Sequence, residues 1–366
     1  MIKLKDNTPN REYWNIVKGL GILLVVVGHA CTFSVEFVYI FHLQLFFFVS
    51  GYLYSEKKYG DHPLQYVKKR FVSLWLKYMI LSAILVILHN PLYDMGMQRL
   101  DATRYSAGDI LLNLVYCVIG NSKELLGGTL WFLPALFLVV VFLEIIVCIS
   151  RRLEKLTGHT VVKLVFQAVL ILAMTYLGYR LIAAEYDFVA DLQVVLAVML
   201  YAWLGYIIRN YADISKLINL KITKIIAVVV MIIGFGYVYW YSTRHWVDLI
   251  FGSVTLSMYL PAIVGIVACL ILSYIIKAIP VVGKFFERMG KNSLIIMIVH
   301  YPVLKIIDKL ICVYIGDSDG TIYDKIPISF PNIWPVYIIV SVGISLFVAF
   351  IINKIKATGV NKHASC

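Results

Sequence analysis

The sequence predicts an all-α, polytopic membrane protein of about ten transmembrane helices, and three observations predict it. Of the 366 residues, 61% are hydrophobic and 15% are charged, against roughly 25% charged in a soluble domain. The apolar residues are gathered into runs of about twenty, the length that crosses a hydrocarbon core of roughly 30 Å. The basic residues between those runs fall mostly on alternate connections, which orients the chain. No hydrophilic stretch is long enough to fold separately. Residues 1–366 therefore read as a single transmembrane domain with a cytoplasmic arm (1–14) and a cytoplasmic tail (354–366).

Ten segments can be drawn in order: 15–33, 36–54, 71–90, 129–150, 162–180, 188–208, 222–241, 252–275, 292–312 and 334–353. The run from Asp109 to Gly120 is apolar but too short for a span, and it reads as interfacial or re-entrant. Counting basic residues tests this drawing. With the N-terminus in the cytoplasm, 24 of the 33 lysines and arginines fall in cytoplasmic segments and six in external ones; Lys77, Lys305 and Lys309 lie within spans. Cytoplasmic loops carry the excess of lysine and arginine in membrane proteins, so both termini are expected inside, in an inner (cytoplasmic) membrane. External loops hold acidic residues instead, Asp94 and Asp101 early and Asp317, Asp319 and Asp324 late. Tyr239, Trp240, Tyr241 and Trp246 read as an interfacial aromatic belt.

Other classes are excluded by composition. The net charge of +12 sits on short loops facing anionic lipid, so no nucleic-acid partner is expected. Six cysteines (31, 117, 148, 269, 312, 366) lie in or beside apolar runs without a CxxC pair, which is neither a disulfide framework nor a zinc site. Met1 to Lys18 is polar and lacks a signal-peptide pattern, so the first span is expected to be retained. There is no internal repeat, low-complexity tract or heptad pattern.

Ionisable side chains inside hydrocarbon cost at least about 2–3 kcal/mol and generally have a partner or a task. The first span concentrates them. Lys18 and His29 are eleven positions apart, three helical turns or roughly 16 Å along the axis, and project on nearly one face. The cation lies at the cytoplasmic mouth and the imidazole towards the external end. That arrangement suits a long donor with anionic phosphates at one end and a reactive thioester at the other, since lysine binds phosphate as a point charge and histidine takes a proton near neutral pH. Gly19, Gly21 and Gly28 allow close approach along the same stripe. The competing reading is a histidine satisfied by a neighbouring helix. His42, on the second span, lies at comparable depth, and its own competing reading is a histidine bonded to a helix carbonyl. Gln44 and Ser50 read as packing or interhelical hydrogen bonds. No third ligand stands at metal-binding spacing from His29 and His42, so no metal is expected.

These residues resemble a known family. Arg11 to His29, with a basic residue, ten residues and then histidine, resembles the opening signature of the acyltransferase-3 family of membrane acyltransferases. Phe41-His-Leu-Gln-Leu-Phe-Phe-Phe-Val-Ser50-Gly51-Tyr52 resembles that family's Phe-His-x-Pro-Leu-Phe-Phe-x-x-Ser-Gly-Tyr segment. Lys69-Arg-Phe-Val-Ser-Leu-Trp resembles the basic start of its third span. Gly128-Thr-Leu-Trp-Phe-Leu-Pro-Ala-Leu-Phe137 is similar to its tryptophan-rich segment, and Gly290-Lys-Asn-Ser-Leu294 with His300-Tyr-Pro resembles its late segment. Within the family the likeness is to the subgroup related to fucose O-acetylases. Two departures stand out: Asn15 where the family commonly has aspartate, and Gln44 where it has proline.

The resemblance implies O-acyl transfer, with acetyl-CoA or another acyl-CoA as donor and an extracytoplasmic or lipid-linked glycan as acceptor. It makes His29 the catalytic residue and puts Lys18, Arg11 and Arg70 near the donor. His42, Ser50 and Trp131 are candidates to hold the developing oxyanion, and Trp131 is also placed to stack on a sugar. Glu144 reads as an interhelical partner, Asn292 and Ser293 as helix-start residues, and His89 and His245 carry no assigned role. The competing function is a transporter of a small solute or lipid-linked sugar, although no paired halves with broken helices are visible.

Overall fold

The computed structural model describes residues 10–30, 35–99, 101–211, 221–249, 253–316 and 330–363. The late acidic residues Asp317, Asp319 and Asp324, the cysteines 31 and 366, and much of the arm and tail lie outside the described residues. What is described is all-α, with one isolated bridge between Asp248 and Ser253. The principal helices in chain order are α1 (Arg11–Ala30), α2 (Val35–Tyr52, with a turn at Ile40 and Phe41), α3 (Pro63–Ile87), α4 (Ala107–Ile119), α5 (Leu125–Thr157) and α6 (Thr160–Ala183). They continue with α7 (Val189–Ala197 and Met199–Tyr211), α8 (Lys221–Ser242), α9 (Leu256–Lys277), α10 (Pro280–Lys291), α11 (Ser293–Tyr314) and α12 (Trp334–His363).

Each of the ten apolar segments falls on a helix. Eight of these helices are long and apolar enough to cross a membrane, or nine if the two arms of α7, bent by 55°, count as one. The remaining one, the ninth segment on α11, has 22 residues but carries Lys305, Asp308 and Lys309. Lys305 and Asp308 are buried within the protein, where the Tyr337 hydroxyl donates to Asp308 Oδ1 at 2.7 Å. Such charges are tolerated in a span only when they face the bundle.

Local chemistry sets the helix ends. Ser106 and Asp109 form a reciprocal capping box at the start of α4, whose 13 residues end on Gly120 in the left-handed conformation. The Ser106 hydroxyl and backbone N–H hold the Asp109 carboxyl below its usual range. Pro63 and Pro280 open α3 and α10 at positions that need no N–H. Ala190 and Asp191, at the bent start of α7, also have positive φ. A non-glycine residue held there is strained and persists only where packing enforces it.

α1 occupies the centre and packs against α2, α9, α10, α11 and α12. Its contact with α10 is backbone to backbone. A Cβ on Gly19 would stand 2.0 Å from the Phe286 carbonyl oxygen, and one on Gly290 would stand 1.7 Å from that of Asn15. α2 meets α7 in the same way through Gly51 and Gly205. Small residues at crossings let helices approach closely where no hydrophobic driving force acts between them.

A buried ionic cluster joins the connection after α2 to α5, α6 and α7. Glu56 is 3% exposed and Lys163 0%; Lys163 Nζ lies 2.6 Å from Glu56 Oε1 and 3.3 Å from Glu154 Oε2. Arg151 Nε stands 3.4 Å from the same Glu56 oxygen, and the Tyr206 hydroxyl donates to the other. The sequence puts Lys163 among the loop cations. It is interior instead, because Glu56 folds in to meet it.

Backbone carbonyls cannot yield to a new methyl group, so Gly290→Ala is expected to force α1 and α10 apart, at about 1–3 kcal/mol. Gly236→Ala adds a Cβ with nothing within 4 Å and is expected to be neutral or slightly stabilising. Thermal unfolding of the two variants in one detergent checks the difference.

Candidate functional site

One stripe of α1 borders a cavity of about 680 Å³: Lys18, Ile22, Val25 and His29 all line it. Their spacing of four, three and four residues is the repeat of one helical face. α2 contributes the opposing stripe of Tyr39, His42, Leu43, Phe46, Val49, Ser50 and Leu53, and α5 adds Trp131, Phe132, Leu133 and Leu136. The wall therefore changes from cationic near the start of α1 to aromatic and imidazole-bearing near its end.

Of the residues singled out in the sequence, Lys18, His29, His42, Ser50, Arg70 and Trp131 all line this cavity. Arg11 does not; it begins α1 on the exposed surface. Arg70 reaches the wall through a π-helical turn over Phe71–Trp75. That extra residue per turn brings Arg70, Ser73 and Leu74 to the cavity together, a distortion common at functional sites. The Arg70 guanidinium lies 5.0 Å over the Tyr66 ring, and its Nε is buried without a hydrogen-bond partner. Among the described residues no carboxylate pairs with Lys18 or Arg70. Glu144, by contrast, is buried off the cavity and accepts from the Cys148 thiol at 3.4 Å.

His42 satisfies both of its readings at once. Its Nδ1 donates to the Val38 carbonyl at 2.8 Å while its ring lines the cavity, 3% exposed. Because that contact takes the ring proton, the neutral ring offers only a lone pair at Nε2 and no hydrogen-bond donor. Ser50 is also displaced from its expected part. Gly28 lies against Tyr39 and Gly21 against Phe46, so the antiparallel register of α1 and α2 brings Ser50 level with Lys18, far from His29.

The surroundings of His29 come from distant chain. Tyr301 meets its ring edge-on at 5.4 Å, and the His300 ring lies at 5.5 Å. Gly128 makes room for Tyr301, whose ring would stand 3.1 Å from a Cβ there, and Thr129 donates to the Met297 carbonyl at 3.1 Å. The sequence marked His300-Tyr-Pro as a motif but gave no sign that it faces His29.

The end of the cavity beyond His29 is a polar rim that includes Arg99, Lys123, Glu124, Asp187, Asp191 and Asp248. His89, without an assigned role in the sequence, anchors this rim. Its Nδ1 lies 3.0 Å from Glu124 Oε2, its Nε2 lies 3.0 Å from the Thr103 carbonyl, and its ring stacks on Tyr105 with centroids 3.4 Å apart. Gln98 donates to the same Glu124 oxygen at 3.0 Å. Burial and the Glu124 carboxylate raise the Tyr105 phenol above its usual range. Among the described residues no group of three or more His, Cys, Asp or Glu side chains converges in a metal-binding arrangement.

The model of the acyltransferase-3 family, described as "Acyltransferase domain", matches residues 11–354. The chain belongs to this family. No curated relative matches it, and no solved structure does. As a member of the acyltransferase-3 family and a bundle of apolar helices, the protein is a membrane acyltransferase, and family membership favours this over the transporter reading.

Glu124→Ala is expected to take the shared carboxylate from buried His89 and Gln98, leaving them their 3.2 Å contact with each other, at a cost of about 1–3 kcal/mol. Amide hydrogen exchange between residues 89 and 105 checks it: protection should fall there and stay unchanged in α9.

Proposed function

We propose that this acyltransferase moves an acyl group, acetyl in the first instance, from cytoplasmic acyl-CoA to a hydroxyl of an extracytoplasmic or lipid-linked glycan. The observation that carries the reading is that Lys18 and His29, three turns apart on one face of α1, line the same cavity. In the orientation that the basic residues support, with both termini cytoplasmic in the inner membrane, the Lys18 end opens inward. Lys18 and Arg70, without acidic partners among the described residues, are suited to the phosphates of the donor. The apolar middle of the wall suits its pantetheine arm. Ser50, level with Lys18, borders that arm and not the reacting carbon.

His29 then acts as general base. It takes the proton of the acceptor hydroxyl as the oxygen attacks the thioester carbonyl; the carbon–sulfur bond breaks, and the CoA thiolate takes the proton back. Tyr39, Tyr301 and the Trp131 N–H are among the cavity-lining donors that suit the developing oxyanion. Neutral His42 is not one, since Val38 holds its ring proton. Trp131 also presents a ring face on which a sugar can stack. The polar rim, with its mixed acids and bases, suits a hydroxyl-rich acceptor arriving from outside.

The test is purified protein in lipid with labelled acetyl-CoA and a panel of glycans. His29→Ala is expected to lower transfer by about 10²–10⁴-fold with donor affinity unchanged. Lys18→Ala is expected to weaken donor binding with a smaller loss of turnover at saturation. Undiminished transfer by the His29 variant would remove the mechanism.

A further inference from the structure

Two buried ring nitrogens on neighbouring histidines are left without hydrogen bonds: His29 Nδ1 and His300 Nε2 meet no partner among the described residues. Each such atom costs about 1–3 kcal/mol, and two of them on neighbouring rings call for a common explanation. The rings lie 5.5 Å apart between centroids with planes at 42°. That separation is spanned by a direct hydrogen bond after a small ring rotation, or by one bridging water.

The proton positions decide which atom gives and which receives. His300 Nδ1 lies 2.9 Å from the Ile296 carbonyl oxygen, one turn back on α11. A carbonyl only accepts, so Nδ1 carries the ring proton and Nε2 keeps the lone pair. His29 has no such tie, and its Nδ1 is free to carry a proton. One assignment satisfies both atoms: His29 Nδ1–H donates and His300 Nε2 accepts. His300 is held for this part. It is 0% exposed, it stands behind His29 and does not border the cavity, and its carbonyl accepts from the Ser341 hydroxyl of α12 at 3.2 Å.

We propose that His300 is a positioning residue that sets the tautomer of His29, keeping the proton on Nδ1 and the lone pair on Nε2, where the acceptor hydroxyl approaches. This rests on the reading of His29 as general base. Other hydrolytic and transfer enzymes give the orienting part to a carboxylate. A carboxylate behind His29 would be an ion buried deep among the helices, at several kcal/mol. A neutral imidazole orients the ring without that charge. When His29 gains the substrate proton, its Nδ1–H becomes a charged donor, and the bond to His300 strengthens as the transition state forms.

The experiment uses the full chain with ¹⁵N-labelled histidine in lipid nanodiscs. The His29 signals are assigned by their loss in His29→Gln, and the ring ¹⁵N shifts read which nitrogen carries the proton. The native chain is expected to hold His29 with its proton on Nδ1. His300→Ala should shift His29 towards the other tautomer, while His300→Gln, which keeps an accepting oxygen, should retain the native one. In turnover with acetyl-CoA and an accepted glycan, His300→Ala should lower kcat by about 10²-fold, leave the donor KM unchanged, and be partly rescued in His300→Gln. A native His29 protonated on Nε2, or a tautomer indifferent to His300→Ala, overturns the proposal even if acyl transfer is demonstrated. The expected tautomers in a chain that transfers no acyl group would uphold the pairing and overturn the reaction. Should His300→Ala fail to fold, the native spectrum and His300→Gln still decide.

Discussion

The rotation of α1 about its own axis is set where Gly19 and Gly290 bring two backbones together, and every polar feature of the cavity depends on that setting. A helix turns 100° per residue, so a modest rotation would carry Lys18 and His29 together into the packing of α10 or α11. The stripe of Lys18, Ile22, Val25 and His29 faces the cavity because the adjoining face of α1, at Asn15 and Gly19, is pressed against the Phe286 and Gly290 backbone. α2 is fixed by the equivalent contact with α7. Two backbone-close crossings thus clamp the two walls that carry the histidines. Side-chain packing alone, with rotamers free to adjust, would hold those walls less rigidly.

Polar groups inside the bundle fall into two kinds, and the difference separates support from site. Glu56, Lys163, Arg151 and Tyr206 satisfy one another, as do Glu124, His89 and Gln98. Such closed networks hold an end of the bundle together and leave few polar atoms over for a ligand. Lys18, Arg70, His29 and His300 are not closed in this way. An open polar group in a low-dielectric interior is expensive, and it persists here where a cavity or a facing orphan atom can complete it. The strained Ala190–Asp191 backbone at the rim belongs with this second kind.

Much of this was legible in the sequence because its code is local. Runs of apolar residues located the long helices, though not the amphipathic α10, and the eleven-residue interval between Lys18 and His29 fixed a shared face before any partner was known. The bent α7 and the charged α11 escaped a simple reading for opposite reasons. The first has ordinary hydropathy on both sides of a break at Val198, and the second has lysine and aspartate that only tertiary burial excuses. Lys163 looked like a loop cation until Glu56 met it. His300 and His89 were beyond reach for one reason: their partners, His29 and Glu124, lie on other helices, and helical periodicity says which way a side chain points but not what waits there. The depth of Ser50 was beyond reach as well, since it depends on how α2 slides against α1.

The same geometry constrains how two substrates of opposite character could share one site. On the proposed reading, the donor carries phosphates that cannot enter hydrocarbon, while its thioester must reach His29. Three turns of α1, roughly 16 Å, separate the two, and a flexible apolar-tolerant arm is what bridges such a gap without moving charge. On that proposal Lys18 and Arg70 would hold the anionic end at the mouth, so the protein would not need to transport the cofactor; only the acyl group would change sides. The acceptor faces the reverse problem of reaching a deep imidazole through a polar rim without releasing water behind it. Tyr39, Trp131 and Tyr301, which line the space around His29, offer ring faces and edges in place of bulk solvent. A cavity cationic at one end, apolar between and polar at the other is what the proposed transfer of an acyl group, and nothing larger, across the bundle would require.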